Sequence, residues 1–178
     1  MVDDMDFEAR ARRVRLIIFD VDGVLTDGGI YIGPQGEAMK RFDIKDGMGI
    51  ALWHRAGGKT AVITGRSSDI VRRRGEELHI TSVRQGCADK GEAYEALKAE
   101  LSVSDDEIAY LGDDLIDLPV MRRVSLPIAV GDAASEVKAA ARFVTIRSGG
   151  HGAAREAIER ILRAQGRFEE AAAPYLAL

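Results

Sequence analysis

The stretch Leu16-Ile17-Ile18-Phe19-Asp20-Val21-Asp22-Gly23-Val24-Leu25-Thr26-Asp27 decides the fold. Four apolar residues run without a break into an acid, and a second acid follows two places later. A short, continuous apolar run describes a strand buried on both faces, as strands are inside a parallel sheet. Along extended chain, side chains two apart share a face, so Asp20 and Asp22 are expected to project together, with Gly23 turning the backbone sharply. Two carboxylates about 4 Å apart at an effective dielectric of about 20 repel by about 4 kcal/mol. A bound cation is the first candidate to offset that repulsion.

Outward from this stretch, strand-like and helix-like segments alternate. Residues 3 to 13 are charged with few apolar positions and read as a short, mostly exposed helix. Residues 29 to 42 place two strand-like pieces around Gly33-Pro34-Gln35-Gly36, a β-hairpin whose Ile30, Ile32, Met39 and Phe42 either meet another subunit or cover their own sheet. A helical pattern runs from Asp46 to Gly57, and Thr60 to Ile63 is a second buried strand ending at Thr64-Gly65-Arg66. Ser67 or Ser68 can cap the next helix. Further strands are expected at 80–83, 108–111, 126–130 and 143–146, with helices from Lys90 to Leu101, Ser135 to Ala141 and Ala153 to Ala164. The rhythm calls for an α/β fold, a doubly wound parallel sheet with helices on both faces and a protruding hairpin. One domain over residues 1–178 is expected, with a tail from about residue 166. Ligands in such sheets bind at the carboxyl ends of the strands. Asp20, Asp22, Thr64, Asp113 and Asp114 all stand there.

Composition narrows the function classes. The chain has 178 residues, 46% hydrophobic and 30% charged, with a net charge of -4. That balance argues against nucleic acid as a partner. Apolar runs fall short of a membrane span, and no basic-then-apolar leader opens the chain. The lone cysteine, Cys87, cannot form an internal disulfide; it fits a reducing cytoplasm and a structural role.

A second acidic cluster, Gly112-Asp113-Asp114-Leu115-Ile116-Asp117, follows a later strand. Acids at a helix N-terminus are favoured by the macrodipole and need no ligand when they stand alone. At the same sheet edge as Asp20 and Asp22, they make three or more carboxylates converge. Oxygen donors without His or Cys point to Mg²⁺. Magnesium among carboxylates commonly handles phosphate, for which Lys90 supplies a point charge and Thr64, with the Gly65 N–H, supplies hydrogen bonds.

In the order Asp20-x-Asp22, Thr64, Lys90 and Gly112-Asp113-Asp114-x-x-Asp117, these residues resemble the four motifs of the haloacid dehalogenase superfamily of phosphatases. The resemblance implies that Asp20 attacks phosphorus to form an aspartyl phosphate. Asp22 would protonate the leaving alkoxide and then deprotonate the hydrolytic water. Mg²⁺ would be held by Asp20, the backbone carbonyl of Asp22, and Asp113, supported by Asp114 and Asp117. Thr64 and Lys90 would bind the phosphoryl group. Only about forty residues separate Asp20 from Thr64, so no cap domain fits between them. A capless member takes large substrates or borrows a lid from a neighbour, for which the hairpin and the tail are the available parts.

Phe42-Asp43-Ile44-Lys45-Asp46-Gly47-Met48-Gly49, Ile63-Thr64-Gly65-Arg66 and Gly149-Gly150-His151-Gly152-Ala153-Ala154-Arg155-Glu156 are similar to the 3-deoxy-D-manno-octulosonate 8-phosphate phosphatases. These are cytoplasmic, Mg²⁺-dependent homotetramers of lipopolysaccharide biosynthesis that release 3-deoxy-D-manno-octulosonate (KDO) and phosphate. The resemblance implies substrate contacts from Asp43, Ile44, Lys45, Asp46, Gly47, Gly65, Arg66, Arg74 and Lys90, an arginine fork suiting a carboxylate. Two departures stand out. Ala51 occupies a position often basic in relatives, with Arg55 one turn on, and His151 stands where arginine is common. The alternatives are a phosphatase for a nine-carbon sugar acid 9-phosphate, which Arg66 disfavours, and a catalytically silent assembly domain, against which the complete set of motif residues argues.

Overall fold

The computed structural model describes residues 2–176. Helix α1 (Val2–Ala11) leads into β1 (Leu16–Phe19), whose four side chains are all buried. The hairpin follows as β2 (Tyr31–Gly33) and β3 (Gly36–Met39), closed at its base by a bridge between Thr26 and Phe42. Then come α2 (Ile44–Arg55), β4 (Lys59–Ile63), α3 (Asp69–Glu77), β5 (Ser82–Arg84) and α4 (Lys90–Leu101). The second half runs β6 (Ile108–Gly112), α5 (Leu118–Met121), β7 (Leu126–Ala129), α6 (Ser135–Ala140), β8 (Phe143–Val144), α7 (Ala153–Ala164) and α8 (Phe168–Leu176).

The main sheet has the order β5-β4-β1-β6-β7-β8, and every pairing in it is parallel. Winding starts at β1, moves outward through β4 and β5, then restarts on the other side at β6. Such a reversal opens a crevice at the carboxyl ends of the two innermost strands. Phe19 is in register with both Val62 and Leu111, so Asp20 stands abreast of the last residues of β4 and β6. The fold class expected from the alternating segments is the one observed.

The two innermost strands carry no exposed residue, and β4 and β7 are buried apart from Lys59. Helices cover both faces. On one, α7 turns an apolar stripe of Ala153, Ala154, Ala157, Ile158, Ile161 and Leu162 inward and packs on α1, α2 and α8. On the other, α5 packs on α4 and α6.

Three local expectations are corrected. The first helix is seated rather than mostly exposed, because Phe7 and Ala11 are buried and the Phe7 ring meets Phe143 edge-on at 5.5 Å. The third strand begins at Ser82, since the Ile80 N–H is taken by Gly75 O in the turn that ends α3. The tail, as far as residue 176, is a helix that buries Ala171 and Ala172 on its own chain. Its last two residues lie outside the described ones. The hairpin behaves as read: Ile30, Ile32 and Met39 are exposed. Phe42 is the exception, packing against the core with the Arg74 guanidinium 5.7 Å from its ring centroid.

Candidate active site

Beyond Phe19 the chain leaves extended geometry at once. The N–H groups of Val24, Leu25 and Thr26 converge on Val21 O at 3.2, 3.0 and 3.0 Å, and Gly23 has φ +90. Side-chain alternation therefore ends with the strand, and the expectation that Asp20 and Asp22 project together is not met. Asp20, 6% exposed, faces the crevice. Asp22 turns toward the hairpin, where its Oδ1 is ion-paired with Lys40 and its Oδ2 lies 3.8 Å from Arg66 Nε.

The carboxylates that do converge are those of Asp20, Asp113 and Asp117, which offer oxygens within 4.8 Å of one another. Lys90, the first residue of α4, reaches into them with a side chain only 1% exposed. Its Nζ stands 2.8 Å from Asp20 Oδ1 and 2.7 Å from Asp117 Oδ1. Helix α4 starts there because Asp89 caps it, accepting from the N–H groups of Gly91 and Glu92. Asp117 is completely buried and fully engaged: Oδ1 also accepts from the Tyr110 hydroxyl at 2.6 Å, and Oδ2 accepts from the N–H groups of Asp113 and Asp114 at 2.9 and 3.2 Å. Asp113 is the opposite case, its buried Oδ1 having no hydrogen-bond partner. Gly23 is required beside it, because a Cβ there would overlap the Asp113 carboxylate and adopt a left-handed backbone.

Electrostatics follow from that crowding. Burial, and then the charges of Asp20 and Asp117, push the Asp113 carboxyl up to about 8. Burial raises Asp20 to about 6, Asp117 adding to the rise while Lys90 opposes it. Burial would lower Lys90, but Asp20 and Asp117 more than reverse it and hold the ammonium charged. One ammonium cannot balance all three carboxyl groups once they are ionised, and Asp113 Oδ1 has no hydrogen-bond partner. An all-oxygen set of this kind fits a hard divalent cation such as Mg²⁺.

The remaining residues singled out in the sequence divide into near and far. Thr64, 2% exposed, directly follows β4 beside β1, with Gly65 and the half-exposed Arg66 next along the chain. Asp114 is exposed and its Oδ1 accepts from the Leu115 N–H, so its carboxylate caps the following turn and only its N–H supports the cluster, through Asp117. Asp43 caps α2 through the Lys45 N–H at 2.8 Å, and Ile44 and Lys45 are exposed there. Asp46 is 2% exposed, and its carboxylate accepts from the N–H groups of Gly152 and Arg155 at the start of α7. Gly47 is buried against Arg74, whose guanidinium borders a cavity of about 430 Å³ with Phe42, Ile44 and Ile70. Arg55, the last residue of α2, sits over the Tyr175 ring at 6.0 Å. His151 lies in a turn whose glycines press on the loop after β1, the Gly150 N–H donating to Val24 O at 2.9 Å.

Sequence reasoning missed Lys40, Glu37 and Tyr110. Tyr110 reads as one more apolar residue of its strand, though a hydroxyl inside a buried run calls for a partner. Lys40 and Glu37 read as ordinary hairpin charges, and nothing in their spacing marks them.

Comparison with known proteins agrees with this geometry. A profile of the haloacid dehalogenase-like hydrolases matches residues 75–156. The 3-deoxy-D-manno-octulosonate 8-phosphate phosphatase KdsC of Escherichia coli (strain K12) is 44% identical over 166 residues, covering 93% of this chain and 88% of that one. The crystal structure of the phosphatase of the same name from Yersinia pestis superposes with a TM-score of 0.90 at 45% identity, over 92% of this chain and 89% of that one. The Moraxella catarrhalis phosphatase, in complex with magnesium ion, phosphate ion and KDO, gives a TM-score of 0.92 at 37% identity, over 96% and 98%.

Proposed function

The chain belongs to the haloacid dehalogenase-like hydrolases, among the 3-deoxy-D-manno-octulosonate 8-phosphate phosphatases, and from that membership we propose a division of labour for its site. The enzyme is a phosphomonoesterase that hydrolyses 3-deoxy-D-manno-octulosonate 8-phosphate to KDO and phosphate with Mg²⁺ as cofactor. The observation that carries the mechanism is the convergence of Asp20, Asp113 and Asp117 around Lys90, with Asp113 Oδ1 left without a partner.

Asp20 is the nucleophile. One of its oxygens forms a bond to phosphorus while the bond to the sugar oxygen breaks and that oxygen keeps the electron pair, giving an aspartyl phosphate and then, by water attack, free phosphate. Lys90 holds Asp20 and neutralises part of the charge that would repel a phosphate dianion. Asp20, Asp113 and the Asp22 carbonyl would hold Mg²⁺. When bound, the ion cancels carboxylate charge and polarises the phosphoryl oxygens. Asp117 and the Asp114 N–H orient this set, and Thr64 and Gly65 bind the transferring phosphoryl group. Asp22 carries the proton to the leaving oxygen and removes one from the attacking water. Arg66 and Arg74, with the loop of Asp43 to Gly47, contact the sugar acid, Asp46 acting there through the helix it caps.

The assembly proposed is a homotetramer, as the sequence resemblance implies, and the exposed Ile30, Ile32 and Met39 of the hairpin supply apolar area of the kind a neighbouring chain covers. The cytoplasm is the compartment that fits an enzyme of lipopolysaccharide precursor synthesis with one free thiol, Cys87. Among the described residues no helix is long and apolar enough to cross a membrane. A phosphate-release panel comparing eight-carbon and nine-carbon sugar acid phosphates with simple monoesters tests the substrate. The eight-carbon compound should lead in kcat/KM; preference for a nine-carbon ester overturns that assignment. Light scattering at assay concentration tests the assembly, and a fully active monomer would sink it.

A further inference from the structure

Lys40 directly follows β3, on a hairpin whose neighbouring side chains are largely in water, yet its own side chain is 1% exposed. A lysine on an exposed hairpin ordinarily keeps its ammonium in solvent. Here the ammonium is drawn inward between two carboxylates, ion-paired with Asp22 Oδ1 and 2.9 Å from Glu37 Oε1. Glu37 also accepts from the hydroxyl of Ser68, the residue that caps α3. Arg66 stands 3.8 Å from both Glu37 and Asp22, too far to hydrogen-bond either. The chain Asp22–Lys40–Glu37–Ser68 therefore ties the loop after β1 to the hairpin and to α3.

We infer that Lys40 is a positioning residue for Asp22, gripping Oδ1 so that the carboxylate keeps one orientation and Oδ2 is the oxygen that exchanges a proton with the leaving group. The inference rests on the reading of Asp22 as proton donor. In the step concerned, an Asp20 oxygen bonds to phosphorus and the phosphorus–ester bond breaks. Its electron pair stays on the departing oxygen, which takes the proton from Asp22 Oδ2. Lys40 gives up no proton and touches neither phosphorus nor the sugar. Its contribution appears only where the departing oxygen needs that proton. An alkyl alkoxide, such as the sugar 8-oxygen, needs it, whereas p-nitrophenolate departs without it.

That difference supplies the test, because kcat/KM reports events up to cleavage of the phosphorus–ester bond. With Mg²⁺-loaded enzyme, kcat/KM is measured on 3-deoxy-D-manno-octulosonate 8-phosphate and on p-nitrophenyl phosphate for the parent, Lys40→Met, Lys40→Gln, Lys40→Arg and Asp22→Asn. General acid catalysis contributes about 10²–10⁴-fold, so loss of positioning should lower the alkyl-to-aryl ratio at least ~10-fold in Lys40→Met and Lys40→Gln. Lys40→Arg, which restores a cation, should recover most of the ratio. Lys40→Gln carries the measurement if Lys40→Met does not fold. An equal fall on both substrates, or no fall on either, overturns the positioning role while leaving Asp22 as donor if Asp22→Asn lowers the ratio. An Asp22→Asn enzyme with the parent's ratio overturns the donor reading and the inference together.

Discussion

Replacing Asp113 by Asn should make the metal-free protein more stable and the metal-loaded protein inactive. The Asp113 carboxyl is pushed from its ordinary 3.8 to about 8, by burial first and by Asp20 and Asp117 next. Between those values the unfolded chain has released the proton and the folded chain retains it. The folded state thus binds more protons, and stability falls as pH rises through this window. One pH unit corresponds to about 1.4 kcal/mol at most, and because Asp113 is only partly buried we halve that to about 0.7 kcal/mol for solvent screening. Asn carries no such penalty. Its advantage over the parent in EDTA should grow from under about 1 kcal/mol at pH 5 to about 3 kcal/mol at pH 8.5 and then level off. For a chain of this size that is a rise in Tm of roughly 5–10 °C at the higher pH, read by thermal unfolding. Excess Mg²⁺ should raise the parent's Tm, by about 2.7 kcal/mol of stability at a hundredfold excess over Kd, and leave the variant where it was. An Asp113→Asn protein that melts below the parent in EDTA at pH 8.5, or that gains as much from Mg²⁺, would refute the reasoning.

Asp20→Asn should cut phosphate release by more than ~10³-fold while melting at or above the parent in EDTA, since it removes the nucleophile and relieves the same crowding. Substantial residual turnover would remove Asp20 from that role. Lys90→Met leaves Asp20 and the wholly buried Asp117 without their shared ammonium, and urea unfolding should show a loss of about 3–5 kcal/mol along with activity. Asp46→Ala removes the acceptor for the Gly152 and Arg155 N–H groups and should destabilise by roughly 1–2 kcal/mol at little expense in KM. A large rise in KM without loss of stability would return Asp46 to the substrate.

Much of the fold was legible because its signals are local. Leu16 to Phe19 and Ile108 to Leu111 are continuous apolar runs ending at acids, and such runs have few other uses than central parallel strands. Lys90 as the start of a helix was equally readable, and the cap of α3 was narrowed to Ser67 or Ser68, of which Ser68 takes the role, since capping depends on immediate neighbours. What was not legible depends on chain brought from far away. Asp46 is polar, lies next to Lys45 in a loop-like stretch and looks free to meet a ligand. Only the arrival of α7, more than a hundred residues later, shows that its oxygens are taken. Asp114 and Asp117 are indistinguishable as acids in one short motif, yet a turn of the backbone buries one completely and leaves the other in solvent. The hidden lysine of the hairpin belongs with these: its ammonium is ion-paired with both Asp22 and Glu37, and Asp22 comes from the loop after β1.

The turn at Val21 has a further consequence for how the site manages charge. Had the strand continued, Asp20 and Asp22 would share a face beside Asp113 and Asp117, adding a fourth carboxylate to a cluster with one ammonium. Each added like charge at about 4 Å costs about 4 kcal/mol at an effective dielectric of about 20. Three successive N–H groups folding back on Val21 O, with Gly23 at positive φ, send the two side chains apart instead. Each then pairs with a different ammonium, Asp20 with the Lys90 it shares with Asp117 and Asp22 with the Lys40 it shares with Glu37. On the proposed division of labour Asp20 attacks phosphorus and Asp22 moves the proton, so the two side chains need different surroundings. Substitution of Gly23 by Ala should therefore harm both functions at once: its Cβ intrudes on Asp113, and its strained backbone loosens the turn that keeps the two aspartates apart.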